Sequence, residues 1–208
     1  FTINNGTAAD DLLISAVISG TQAITKAGAG TLNLSGVNTY SGSTTINAGT
    51  VVVSSNSGLG TTVGTTVDSG AALGIQGGIS YSTAEPVTIN GTGVSGSGAF
   101  YNISGNNSFA GQITLASASI IGSAATGETL TLTGTVANGG FLLTTDGAGN
   151  QTANGIISGT GGLTKNGTGT LTLAAANTYS GGTTVSSGTL LVTNATGSAT
   201  GTGSVTVN

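Results

Sequence analysis

The sequence predicts an all-β chain wound into a β-solenoid of roughly nine coils, and three observations carry that prediction. The block from Ile18 to Gly58 returns 139 residues later as Ile157 to Gly197, without a gap and with 22 of its 41 positions unchanged. Only 4% of the residues are charged, where a globular domain has roughly a quarter. Short runs of alternating apolar and hydroxyl residues recur along the chain, separated by Gly, Asn and Ser. A repeat held in register over such a length means a unit stacked along a line, each copy touching only its neighbours.

The elements follow from period two. Thr31-Leu32-Asn33-Leu34, Thr129-Leu130-Thr131-Leu132-Thr133 and Thr170-Leu171-Thr172-Leu173 alternate strictly, which puts the leucines on one face and the polar side chains on the other. Short strands of the same kind are expected at Thr44–Ile46, Val51–Val53, Val87–Ile89, Ile113–Leu115, Phe141–Leu143 and Thr189–Val192. Asn-Gly pairs at 5–6, 90–91, 138–139, 154–155 and 166–167 mark turns. No window has a helical period of useful length. An antiparallel sandwich would bury bulky and aromatic side chains, and aromatics are only 4% here. A solenoid instead fills a slim interior with Val, Ile, Leu and Ala. It also accounts for the missing charge, because equivalent side chains of successive coils lie about 4.8 Å apart, where like charges repel and Thr, Ser or Asn hydrogen bond. Coils of roughly 20–25 residues give about nine coils and a rod of about 40–45 Å.

The module runs from about Phe1 to Gly140, with a truncated second copy over 141–208, in one continuous solenoid 1–208. Residues 59–140 diverge, hold the single proline, Pro86, and include Gly91–Gly98, expected as a loop protruding from the rod. The chain reads as an excerpt of a longer repetitive protein, with both ends expected to be cut surfaces.

Composition narrows function. There are two Lys, no Arg, no His and no Cys, and the formal net charge is -4. A basic patch for nucleic acid is therefore excluded, as are thiolate metal sites and disulfides. Nothing approaches 18 consecutive apolar residues, so no helix spans a membrane.

Leu163-Thr-Lys-Asn-Gly-Thr-Gly-Thr-Leu-Thr-Leu173 and Asn177-Thr-Tyr-Ser-Gly-Gly-Thr-Thr184, followed by Gly188-Thr-Leu190, resemble the autotransporter-associated β-strand repeat, also called the passenger-associated transport repeat. Ile24 to Val53 is similar in the same order. The resemblance covers about 60 of the 208 residues. It implies a right-handed parallel β-helix in a bacterial surface or secreted passenger, exported through a C-terminal outer-membrane β-barrel that is not in this chain. It also implies adhesive or fibre-forming roles, with other copies of the chain and surface glycans as partners.

Each candidate site residue has a plain structural reading beside a sharper one. Tyr40 and Tyr179 sit in the two Asn-Thr-Tyr-Ser-Gly strings, and each ring either covers the apolar stack at a corner or stacks on a sugar face. Thr129, Thr131 and Thr133 form an outward hydroxyl row open to ice or polysaccharide, or simply line an exposed β face. Lys26 and Lys165 hold the same repeat position and read as solvated corner lysines; an isopeptide bond to Asn166 is disfavoured because adjacent residues cannot easily pair. Of Asp10, Asp11, Asp68, Glu85, Glu128 and Asp146, only Asp10-Asp11 are adjacent, and strand neighbours point apart, so neither a carboxylate pair for catalysis nor a calcium site is built. No enzyme activity, cofactor or metal is expected.

Overall fold

A computed structural model describes residues 1–61 and 63–208. The chain turns repeatedly through three walls of short parallel strands, in the order wall one, wall two, wall three. Wall one stacks Ile24–Lys26, Thr44–Ile46, Thr65–Val67, Val87–Gly91, the start of Ile113–Ser123, Val136–Gly139 and Ile157–Gly159. Wall two stacks ten strands from Leu12–Ile14 to Val205–Val207, which makes about nine coils. Wall three is a six-stranded sheet from Ser80–Tyr81 to Thr189–Val192. Every strand pairing among the described residues is parallel. The register repeats after 19 residues at Leu32↔Val51 and after 27 at Leu73↔Phe100, so coil length varies while the stack holds. Ile113–Ser123 runs through a corner and joins walls one and two into one sheet.

Period two does what the alternation predicted. Inward side chains form columns through the lumen, such as Leu12–Leu32–Val51–Leu73–Phe100–Ile121 on wall two. Burying each large aliphatic contributes about 1.5–3 kcal/mol, and because each coil covers the previous one the contribution is made coil by coil. Outward positions carry threonines: Thr25–Thr45–Thr66–Thr88–Thr114 lie in register on wall one and Thr144–Thr164–Thr184–Thr206 on wall two.

Two expectations are corrected. The lumen is not too slim for rings, because Tyr40, Tyr81, Tyr179, Phe100 and Phe109 are all fully buried. Phe109 packs 5.4 Å from Tyr81 and 4.9 Å from Phe100, centroid to centroid, in the longer coils of the divergent stretch. Residues 92–98 leave the walls between Val87–Gly91 and Phe100–Ser104 with Ser95, Gly96 and Ser97 exposed; a short 3-10 turn at Val94–Gly96 forms the tip, and Gly98 N–H donates to the Thr92 carbonyl at 2.9 Å across the base. The strand expected at Phe141 begins at Leu143, leaving Phe141 and Leu142 exposed at a corner.

Candidate functional site: the clasp between coils

The residues unchanged between the two copies converge on the seams between coils. In the first Asn-Thr-Tyr-Ser-Gly string the carboxamide of Asn38 is buried. Its Oδ1 accepts from the Ile18 amide of the preceding coil at 2.8 Å, and its Nδ2 donates to the Gly58 carbonyl of the following coil at 2.7 Å. In the second string the Asn177 Oδ1 accepts from Ile157 N–H at 2.7 Å while Nδ2 donates to the Ala199 carbonyl. One side chain thus ties three successive coils where wall pairing is interrupted. Two residues on, alternation returns to the lumen: the Tyr40 hydroxyl meets Thr44 Oγ1 at 2.7 Å and the Tyr179 hydroxyl meets Thr183 Oγ1 at 2.6 Å. The backbone of both tyrosines serves the next coil, accepting from Thr61 N–H at 2.9 Å and from Thr202 N–H at 3.0 Å. The string ends in Gly because the preceding coil lies against it; a Cβ on Gly42 would sit 2.2 Å from the Gln22 carbonyl oxygen.

The two lysines complete the clasp and correct the expectation of solvated corners. Lys26 and Lys165 are 0% and 3% exposed. Ile24 and Lys26 share the inward side of a three-residue strand, so the stem lies in the lumen and the ammonium turns into the corner. There Lys26 Nζ donates to the carbonyls of Ala27 at 3.1 Å, Gly28 at 2.8 Å and, one coil on, Ala48 at 3.0 Å. Lys165 Nζ repeats this with Asn166, with Gly167 at 2.9 Å and with Ser187 at 3.4 Å. Charge-assisted bonds serve the corner carbonyls, of which that of Ala27 also accepts from Ile3 N–H at 2.9 Å. Burial holds both ammonium groups below the ordinary lysine value, opposed by the negative charges of Asp11 and Asp146 respectively.

The surface-contact reading of Tyr40 and Tyr179 does not survive this geometry: neither ring presents a face to solvent. Burial pushes the Tyr40 phenol up to about 12, against the lowering effect of the Thr44 bond, with the Glu85 charge raising it further. The threonine row divides. Thr129 and Thr131 are half-buried on the outer face of wall three, and Thr131 stacks in register with Ser108 and Thr152. Thr133 lies past the strand, with its hydroxyl turned back to the Phe109 carbonyl at 3.2 Å.

The carboxylates act as local caps. Asp11 accepts from Gly6 N–H at 2.6 Å and, across a coil, from Thr31 N–H at 2.8 Å. Asp10 accepts from Asn33 Nδ2 at 2.9 Å, and Asp146 from Asn166 Nδ2 at 2.8 Å. Glu85 is buried; burial pushes its carboxyl up from 4.5, against hydrogen bonds from the Thr65 hydroxyl and the Gly64 amide.

Sequence reasoning missed the Asn and Lys components. Both were within reach of period two: Asn38 is two residues from a tyrosine, and Lys26 two residues from an isoleucine, so each shares an inward side.

Comparison with known proteins agrees with this repeat. The family described as Passenger-associated-transport-repeat matches twice, at residues 24–53 and 163–192. The chain is also similar to the adhesin BmaC autotransporter of Brucella suis biovar 1 (strain 1330), with 37% identity over 216 residues. That match takes in 94% of this chain and 6% of the relative, so the chain spans a small fraction of the curated protein it resembles. No solved structure matches.

Proposed function

We propose that this chain, which carries two passenger-associated transport repeats, is a stalk segment in the passenger of a bacterial cell-surface adhesin and supports its own export by folding coil by coil. The observation that carries the reading is the clasp: the two copies share bonds that one coil makes to the next, built on Lys26, Asn38 and the Tyr40 carbonyl and again on Lys165, Asn177 and the Tyr179 carbonyl. A coil joining an ordered end gains its bonds to that end as it docks and the remainder when the next coil follows, because each coil contacts only its neighbours. With no ATP outside the cell, that gain biases an emerging chain outward. Few charges and no cysteine suit threading through an outer-membrane barrel, which the reading places elsewhere in the parent protein. The relative's name, an adhesin and an autotransporter, supports the surface location and a non-enzymatic role.

The test fuses the chain to an autotransporter barrel and follows surface exposure of the passenger over time. Asn38→Ala and Asn177→Ala together should slow exposure without lowering synthesis. Exposure at the unaltered rate, with the clasps shown to be weakened in the purified chain, sinks the export role.

A second reading, a glycan-binding face, draws on the outward threonine columns, in which hydroxyls repeat at the strand spacing of about 4.8 Å. A glycan array separates the two. Binding that is lost when wall-one threonines are replaced by valine, and is indifferent to Tyr40→Phe, supports it.

A further inference from the structure

The two copies of the repeat do not lie on the same walls. Ile24–Lys26 stacks in wall one, while its counterpart Leu163–Lys165 stacks in wall two on Leu143–Asp146. Thr31–Leu34 belongs to wall two, while its counterpart Thr170–Leu173 pairs in wall three with Asn150–Ala153. Wall one can be followed from Ile24 through Thr44, Thr65, Val87, Ile113 and Val136 to Ile157, six complete coils. The repeat begins again one wall later, at Leu163. A module is therefore six coils and one wall. At a rise of about 4.8 Å per coil, it advances about 30 Å and turns by about a third of a revolution.

The walls tolerate this because they make the same demand: a short strand with period two, inward aliphatics and a glycine-rich corner. Leu163 fills the lumen from wall two as Ile24 does from wall one; both are buried. The outer surface records the step. The threonine column Thr25–Thr45–Thr66–Thr88–Thr114 on wall one gives way to Ala137 and Ser158. The column resumes one wall round as Thr144–Thr164–Thr184–Thr206, where Thr144 stacks on Ile120.

We infer that tandem copies of this module wind their surface around the rod, one wall per module, so that any exposed feature returns to the same side only after three modules, about 90 Å. This winding is independent of what the surface binds. Its consequences are geometric. A rod built this way offers each contact feature on all three sides. No wall carries an unbroken column longer than about five coils, so two rods cannot zip together along matching hydroxyl rows, and a ligand reading further along the axis must turn with the surface.

The chain has no cysteine, so engineered pairs report the changeover cleanly. Outward neighbours on adjacent coils lie about 4.8 Å apart, inside the Cα separation a disulfide spans. Thr114→Cys with Ala137→Cys tests wall one, Ile120→Cys with Thr144→Cys tests wall two, and Thr114→Cys with Thr144→Cys tests the unwound alternative, in which the threonine column runs straight on. Under mild oxidation the first two pairs should close almost completely and the third by less than about a tenth, as its cysteines stand on different walls. A closed 114–144 pair overturns the winding, and so does failure of 120–144 to close while 114–137 does. Failure of all three pairs in folded protein also overturns it, since the columns would then be out of register.

Discussion

Replacing Asn38 by alanine should release two coils at once. The change leaves the Ile18 N–H and the Gly58 carbonyl, now bonded at 2.8 and 2.7 Å, without side-chain partners. An unsatisfied buried backbone group costs about 1–3 kcal/mol. Gly58 is buried and Ile18 only half-buried, so water relieves part of the second cost, and the expected local loss is about 2–4 kcal/mol. The effect should be regional because coil stability is a nearest-neighbour sum. Native-state hydrogen exchange reads it directly: the Ile18 amide and the amides of the flanking strands Thr31–Leu34 and Thr50–Val53 should lose about 30- to 1000-fold in protection, the equivalent of that free energy. Thr170–Leu173 should keep its protection. Asn47→Ala, on an exposed asparagine, is the control. Equal losses in both halves of the rod would refute the nearest-neighbour reasoning, and unchanged protection at Ile18 would refute the clasp.

Tyr179→Phe removes the bond to Thr183 but keeps the ring in the lumen, and should cost about 1 kcal/mol in urea unfolding while leaving any glycan binding unchanged. Lys165→Met frees three carbonyls and should cost about 2–4 kcal/mol at neutral pH. Because burial lowers the folded-state value of this lysine, wild type should gain stability as pH rises through that value toward 10.5, so the gap to the variant widens in that window. Glu85→Gln tests the opposite sign. The Glu85 carboxyl is raised in the fold, so its proton stabilises at acid pH, and wild type should lose stability as pH climbs from 4.5 through the folded value. The Gln variant should lack that slope and exceed wild type at neutral pH by on the order of 1 kcal/mol. Thermal melts across pH 4–8 check it, and parallel curves for the two proteins would defeat the argument.

Fold class was legible because a solenoid asks little of each position. Thr129–Leu132 and Thr170–Leu173 alternate as read, and their leucines are buried in the lumen. What stayed hidden was chemistry that period two reassigns. Lysine is expected at the surface on composition alone, yet Ile24-Thr25-Lys26 in a strand sends Ile24 and Lys26 the same way, and the turn carbonyls supply the partners that make burial tolerable. The aromatic cluster Tyr81–Phe100–Phe109 was hidden for another reason. Its residues lie 19 and 9 positions apart in the sequence, and only the stacking of unequal coils brings them together. Wall assignment was illegible too, because the shift between copies depends on the summed lengths of six coils and not on any one motif.

Inward and outward sides explain together why two such distant stretches stayed alike while charge nearly vanished. On the outer face each residue stands about 4.8 Å from its equivalent, so one lysine or glutamate would need every neighbour in its column to compensate. Threonine avoids the problem and favours the strand as well. The two lysines are drawn inward, where corner carbonyls solvate each ammonium separately and no column forms. The clasp also has a direction. Asn38 reaches back to Ile18 and forward to Gly58, so the coil that holds it is half satisfied when it meets the ordered end and complete only when the next coil arrives. Each of the two coils that carry this asparagine therefore leaves a side-chain donor for its successor, and stability grows by steps at a moving end. That is the property a chain needs if its only engine is its own folding.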